Sequence, residues 1–206
     1  NGDKNNMKYV MLMNVNPGCL FGGSATEYFV GDFDGKNFTC VDDPHVPKWL
    51  DYGKDHYATV CFSNTGDRVI ALPWMSNWQY ANVTPIKQYR GANGLPRELS
   101  LYTKDGRYYV AANVAPEVKA IRKETKTVED IKTGASVDKK GVAAGYDGAF
   151  EIEFDVTPAA DGTAGIEVYN DKGEKTMIYF DLKQMRAVMD RTQSGLTDFG
   201  KLGEKA

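Results

Sequence analysis

The sequence predicts an all-β protein, and three observations carry that prediction. Short runs rich in β-branched and aromatic residues recur along the chain, and several are separated by Asp-Gly or Asn-containing turns. Twelve Tyr, nine Phe and three Trp are present among 206 residues, and flat rings pack well on pleated surfaces. No segment shows the apolar period of an amphipathic helix. Short strands with turns at this spacing indicate a sandwich, a barrel or a propeller.

Taken in order, residues 8–14 (KYVMLMN) form the first β-prone run, and Asn16-Pro17-Gly18 breaks it. Residues 27–33 and 37–41 flank Asp34-Gly35, a strong local hairpin signal. Residues 56–63 and 68–74 flank Asn64-Thr65-Gly66-Asp67, and residues 99–103 and 107–113 flank Lys104-Asp105-Gly106. The character shifts near Pro116. Residues 117–141 are charged, Thr-rich and poor in aromatics, so they mark a boundary between a first part, 1–115, and a second, 116–206. Beyond it, residues 149–156 (AFEIEFDV) alternate as a half-buried strand should. Residues 165–170 and 176–182 read as another hairpin, and 187–190 as a further short strand. The polar tail from residue 194 is expected to fray.

Charge and composition exclude several function classes. A net charge of −3 with scattered Lys and Arg provides no basic face for a nucleic acid. No apolar run is long enough for a membrane-spanning helix. Cys19, Cys40 and Cys61 are widely spaced, form no CxxC motif and read as small buried apolar residues. With only His45 and His56, a zinc site or a Ser/His/Asp triad has little to be built from.

Four clusters stand out together: Gly23-Ser24-Ala25-Thr26-Glu27-Tyr28-Phe29-Val30-Gly31-Asp32-Phe33-Asp34-Gly35, Asp51-Tyr52-Gly53-Lys54-Asp55-His56-Tyr57-Ala58, Trp74-Met75-Ser76-Asn77-Trp78-Gln79-Tyr80, and Arg90-Gly91 followed by Leu95-Pro96-Arg97-Glu98-Leu99-Ser100-Leu101. In this order and spacing the chain resembles glycoside hydrolase family 32, the invertase, inulinase and levanase group. Asp190-Arg191-Thr192-Gln193-Ser194-Gly195 resembles a stretch of that family's C-terminal sandwich. The resemblance implies the last blades of a five-bladed β-propeller followed by an incomplete β-sandwich. It also implies a retaining glycosidase that cleaves β-fructosidic bonds in sucrose, inulin or levan with two carboxyl groups and water, and with no cofactor. Secretion or a periplasmic or cell-surface location follows from family habit. The family's Asn-Asp-Pro-Asn-Gly, Arg-Asp-Pro and Glu-Cys motifs, which carry its nucleophile, stabilising Asp and acid/base Glu, do not occur in this sequence. The expectation is therefore a fragment cut at both sides, inactive alone. The rival class is a non-catalytic carbohydrate-binding protein.

The resemblance makes Asp51, Lys54 and Trp74 substrate-binding candidates. Asp51 and Lys54 match a segment at the funnel rim that influences substrate choice, although Asp51 before Gly53 also fits a tight turn. Trp74 matches the wall of the terminal fructose subsite, a place where an exposed indole gives contact area at little entropic cost. Trp78 and Tyr80 share the strand parity of Trp74 and are read as structural. Arg97-Glu98 is read as a buried ion pair near the join of the two parts, Asp32 and Asp34 as hairpin residues, and Glu27 as non-catalytic.

Overall fold

A computed structural model describes residues 5–127, 129, 149–156 and 162–196. Eleven strands are present among them: β1 (Tyr9–Val15), β2 (Ala25–Phe33), β3 (Phe38–Cys40), β4 (Tyr57–Cys61), β5 (Val69–Met75), β6 (Ala92–Asn93), β7 (Arg97–Lys104), β8 (Arg107–Val114), β9 (Thr163–Tyr169), β10 (Lys175–Asp181) and β11 (Arg186–Gln193). Every pairing is antiparallel. The expected hairpins form at the expected turns, and the fold is all-β. The described residues up to Ile121 make one compact unit, and those from Arg122 make another.

The first unit holds two sheets, β1-β2-β3 and β4-β5-β7-β8, with the short β6 paired to the end of β5. Strand alternation builds its core. Tyr28 and Val30 of β2 are buried with Leu50, and against them pack Leu99 and Leu101 of β7 and Tyr108, Val110 and Ala112 of β8. Each such large apolar side chain stabilises the fold by roughly 1.5–3 kcal/mol when fully buried. The Tyr28 hydroxyl meets its hydrogen-bonding need by accepting from the Val110 N–H at 3.2 Å.

A second, polar seam fixes β4 against the first sheet. The Thr26 hydroxyl donates to Asn14 Oδ1 at 2.7 Å and lies 2.7 Å from the Thr59 hydroxyl, while the Thr59 N–H donates to Asn14 Oδ1 at 2.9 Å. Thr26 and Thr59 are both buried, so the seam defines one register for β4 rather than a sliding contact. Next to it, the β4–β5 ladder shifts register between Tyr57 and Val60, with Ala58 at φ 50°, which is the geometry of a bulge.

The second unit is an antiparallel meander in the order β11-β10-β9. Residues 149–156 do not form the expected strand. Among the described residues they have no ladder partner, and Glu151 instead receives a two-pronged Arg122 guanidinium, Nε at 2.5 Å and Nη2 at 2.7 Å. Alternation records which faces a segment would present, but a strand also needs a neighbour to bond. Residues 116–121, at the expected boundary, form a single short 3₁₀ helix. The tail expected to fray lies outside the described residues beyond Leu196. All three cysteines are free, but they are not the buried residues expected: Cys19 and Cys40 are only half-buried and Cys61 is exposed on β4. No described helix is long and apolar enough to cross a membrane.

Candidate functional site

The loop 51–56 and the segment 76–79 that follows β5 lie together, and one side chain holds them. Asn77 is completely buried. Its Oδ1 accepts the N–H groups of Ser24 at 3.4 Å and Gln79 at 2.9 Å. Its Nδ2 donates to the carbonyls of Lys54 at 2.9 Å, Ser24 at 3.2 Å and Gly22 at 3.4 Å. A buried carboxamide with every group engaged is a stiff joint between three loops, because releasing any bond leaves a desolvated polar atom. Gly23 makes the approach possible: a Cβ there would lie 2.0 Å from Asn77 Oδ1, and its φ of +74° suits glycine. The fully buried Ser24 adds a bond, its Oγ accepting from the Trp78 N–H at 3.2 Å.

Around this joint stand the sequence-predicted residues. Lys54 donates its Nζ to Gln79 Oε1 at 2.6 Å, and Gln79 backs onto Gly22, where a Cβ would meet Nε2 at 2.3 Å. Trp74, on β5, is half-buried and faces Tyr57 across the ladder, with ring centroids 6.3 Å apart. Its indole edge is closed by Gly91, where a Cβ would sit 2.2 Å from Nε1. Trp78 lies 5.2 Å from Trp74, centroid to centroid, with the planes tilted by 55°. It is 47% exposed, unlike Trp49 at 8%. β5 ends at Met75, so Trp78 and Tyr80 sit in the following turn and the parity argument for them fails. Tyr80 donates its hydroxyl to Asp55.

Asp51 takes the turn role and a second one besides. Its Oδ1 accepts the Gly53 N–H at 2.7 Å, and its Oδ2 lies 2.8 Å from Arg97 Nη1 and 3.8 Å from His56 Nδ1. Burial opposes its charge, but the Gly53 N–H, Arg97 and His56 outweigh this and hold the carboxyl below the ordinary aspartate value. His56 is buried, and its Nε2 has no hydrogen-bond partner among the described residues. Burial first, with Arg97 adding to it and Asp51 opposing, brings the His56 pKa down to about 4, so the ring is neutral at pH 7.

The expected Arg97–Glu98 pair does not exist. Adjacent strand residues point to opposite faces, so Arg97 reaches Asp51 while Glu98 binds Arg68 at 2.9 Å. Asp34 is a turn residue, accepting the N–H groups of Lys36 and Asn37, and Asp32 pairs with Lys8 at 2.8 Å. Glu27 bridges to Trp49 through its backbone, and burial pushes its carboxyl up. Among the described residues no three His, Cys, Asp or Glu side chains gather as metal ligands would. Sequence reasoning missed Asn77, His56, Gln79 and Gly91. All four lie within the clusters that carry the family resemblance, but nothing in their local sequence marks the role of any of them.

Comparison with known proteins places this geometry. The profile of the glycosyl hydrolases family 32 N-terminal domain matches residues 1–112, and that of the glycosyl hydrolases family 32 C terminal matches residues 117–206. A levanase of Bacillus subtilis (strain 168) is 36% identical over 96% of this chain and 30% of its own length. An extracellular exo-inulinase of Meyerozyma guilliermondii is 32% identical over 96% of this chain and 40% of its own. Among solved structures, exo-inulinase from Aspergillus awamori superposes with a TM-score of 0.71 at 23% identity, covering 98% of this chain and 41% of that one. Fructofuranosidase from Schwanniomyces occidentalis complexed with fructose gives 0.65 at 25% identity, covering 98% and 42%. The fold is thus that of the all-β, propeller-and-sandwich glycosidases. The chain belongs to glycosyl hydrolases family 32. It spans 30% of the levanase and 40% of the exo-inulinase.

Proposed function

We propose that this chain is part of a retaining β-fructosidase that hydrolyses sucrose, inulin or levan. Residues 1–115 serve as the last propeller blades and 116–206 as part of the sandwich. The nucleophile, the stabilising Asp and the acid/base Glu belong to portions of the enzyme outside these 206 residues, since their three motifs are absent from the sequence. The reaction needs two carboxyl groups and water, and no cofactor. The extracellular exo-inulinase among the relatives supports secretion.

The observation that carries the reading is the Trp74 indole packed on Trp78, whose neighbour in sequence, Gln79, accepts from the Lys54 ammonium. An aromatic face offers apolar contact to the C–H face of a sugar, and the neighbouring ammonium and amide offer polar partners for hydroxyls. In this role Trp74 walls the fructosyl ring, Lys54 meets hydroxyls at the rim, and Asp51, tied to Arg97, contributes a fixed acceptor there. The test is fructose release from sucrose, inulin and levan. The purified chain should release none above background, whereas a longer product carrying Asn-Asp-Pro-Asn-Gly upstream should release it from at least one. Release by the chain alone, surviving purification controls, overturns the assignment of the carboxylates. A longer product inert on all three overturns the substrate class.

A further inference from the structure

We infer that Trp78 is a second sugar-binding wall, taking the sugar unit next to the one at Trp74. The inference rests on the fructosyl reading of Trp74 and extends it to a residue that strand parity marks as structural. Three observations carry it.

First, Trp78 is 47% exposed although its backbone is fixed by two of the least accessible polar residues in the molecule. The Ser24 Oγ holds its N–H, and the flanking Asn77 anchors the turn by five hydrogen bonds. Such anchoring holds a large ring in place at a half-exposed position and gains the core little apolar burial. A ring held rigid before contact loses little entropy when a ligand arrives, which is the physical advantage of an aromatic binding wall.

Second, the planes of Trp74 and Trp78 are inclined by 55° at a centroid separation of 5.2 Å. Two rings so inclined cannot both lie flat on one sugar. They fit two successive units whose faces are turned relative to each other, as a flexible fructosidic linkage allows. Third, the next residue, Gln79, engages the Lys54 ammonium at 2.6 Å, so hydroxyl-binding groups border the aromatic pair. The occupant is therefore an oligosaccharide of at least two units, rather than an apolar peptide or a lone monosaccharide.

The indole N–H resonances of Trp49, Trp74 and Trp78 allow a test on the chain itself by ¹H–¹⁵N spectroscopy, assigned through Trp→Phe variants. Fructose should shift Trp74 alone, and a β-2,1-linked fructan trisaccharide should shift Trp74 and Trp78 together, leaving the buried Trp49 in place. Trp78→Ala should weaken trisaccharide binding by about tenfold and fructose binding by clearly less, and Trp78→Tyr should recover most of the loss. An unmoved Trp49 signal certifies the fold of each variant. If Trp74 responds to both sugars and Trp78 to neither, the second wall is refuted and the fructosyl reading of Trp74 survives. If neither ring responds to either sugar, the fructosyl reading falls and takes this inference with it.

Discussion

Arg97 reaches from the start of β7 to within 2.8 Å of Asp51 Oδ2, and the neutral His56 ring brings its Nδ1 to 3.8 Å from the same oxygen. The trio ties the loop 51–56 to the central sheet and makes its attachment depend on pH.

His56 sets the sign of that dependence. Its pKa in the folded chain is about 4, against an ordinary 6.5. Between those values the unfolded chain binds a proton that the folded chain refuses, so stability falls as pH drops through that window. The contribution is fully present above the unfolded value and amounts to about 3 kcal/mol across the window. Asp51 behaves as a depressed carboxylate does: its stabilisation is present above its ordinary value and is lost at more acidic pH, as the folded value is crossed. Urea unfolding at about pH 7.5 and about pH 4.5 should show a marked loss for the native chain and a clearly smaller one for His56→Phe. Equal losses in the two proteins would mean that His56 is not held neutral.

Asn77 supports a stability prediction. Asn77→Asp keeps the shape but sets a carboxylate oxygen where Nδ2 now donates to three carbonyls. A buried charge facing acceptors, with its donors removed, should cost about 3 kcal/mol or more. Amide exchange should quicken first at Ser24 and Gln79, whose N–H groups Oδ1 now accepts. A melt within about 0.5 kcal/mol of the native chain, the range typical of a surface substitution, would show that Asn77 is not the joint between these loops.

The strands and turns were legible because both rest on local chemistry. Asp34-Gly35 and Lys104-Asp105-Gly106 reverse the chain wherever they occur, and the alternation of Tyr28 and Val30 marks the core face. The site was legible only through family resemblance, which pointed to Asp51, Lys54 and Trp74. What local reading could not supply was the partner of each group. Arg97 and Glu98 are neighbours in sequence, yet they serve opposite faces of the sheet. Trp78 shares parity with Trp74 in sequence, yet the strand stops between them. Asn77 is ordinary turn chemistry until tertiary structure buries it under three carbonyls, and the alternation of residues 149–156 gave a face but no neighbour.

The last prediction separates binding from packing at Trp74, in the longer enzyme carrying the catalytic carboxylates. Trp74→Ala removes the proposed wall of the fructosyl subsite, and kcat/KM should fall by roughly two orders of magnitude. The indole is half-buried, touching Tyr57, Trp78 and Gly91, so the stability loss should stay below the roughly 3–5 kcal/mol of a sealed core Trp. Gly91→Ala approaches the same ring from behind. At φ +75°, with a Cβ 2.2 Å from Trp74 Nε1, the substitution strains the backbone by about 1–2 kcal/mol and forces the indole to move. It should therefore lower kcat/KM in the same direction as Trp74→Ala while leaving Trp74 in the chain. The two variants are checked by paired thermal melts and steady-state kinetics. If both melt early while their folded fractions turn over normally, Trp74 is a packing residue and the fructosyl wall lies elsewhere.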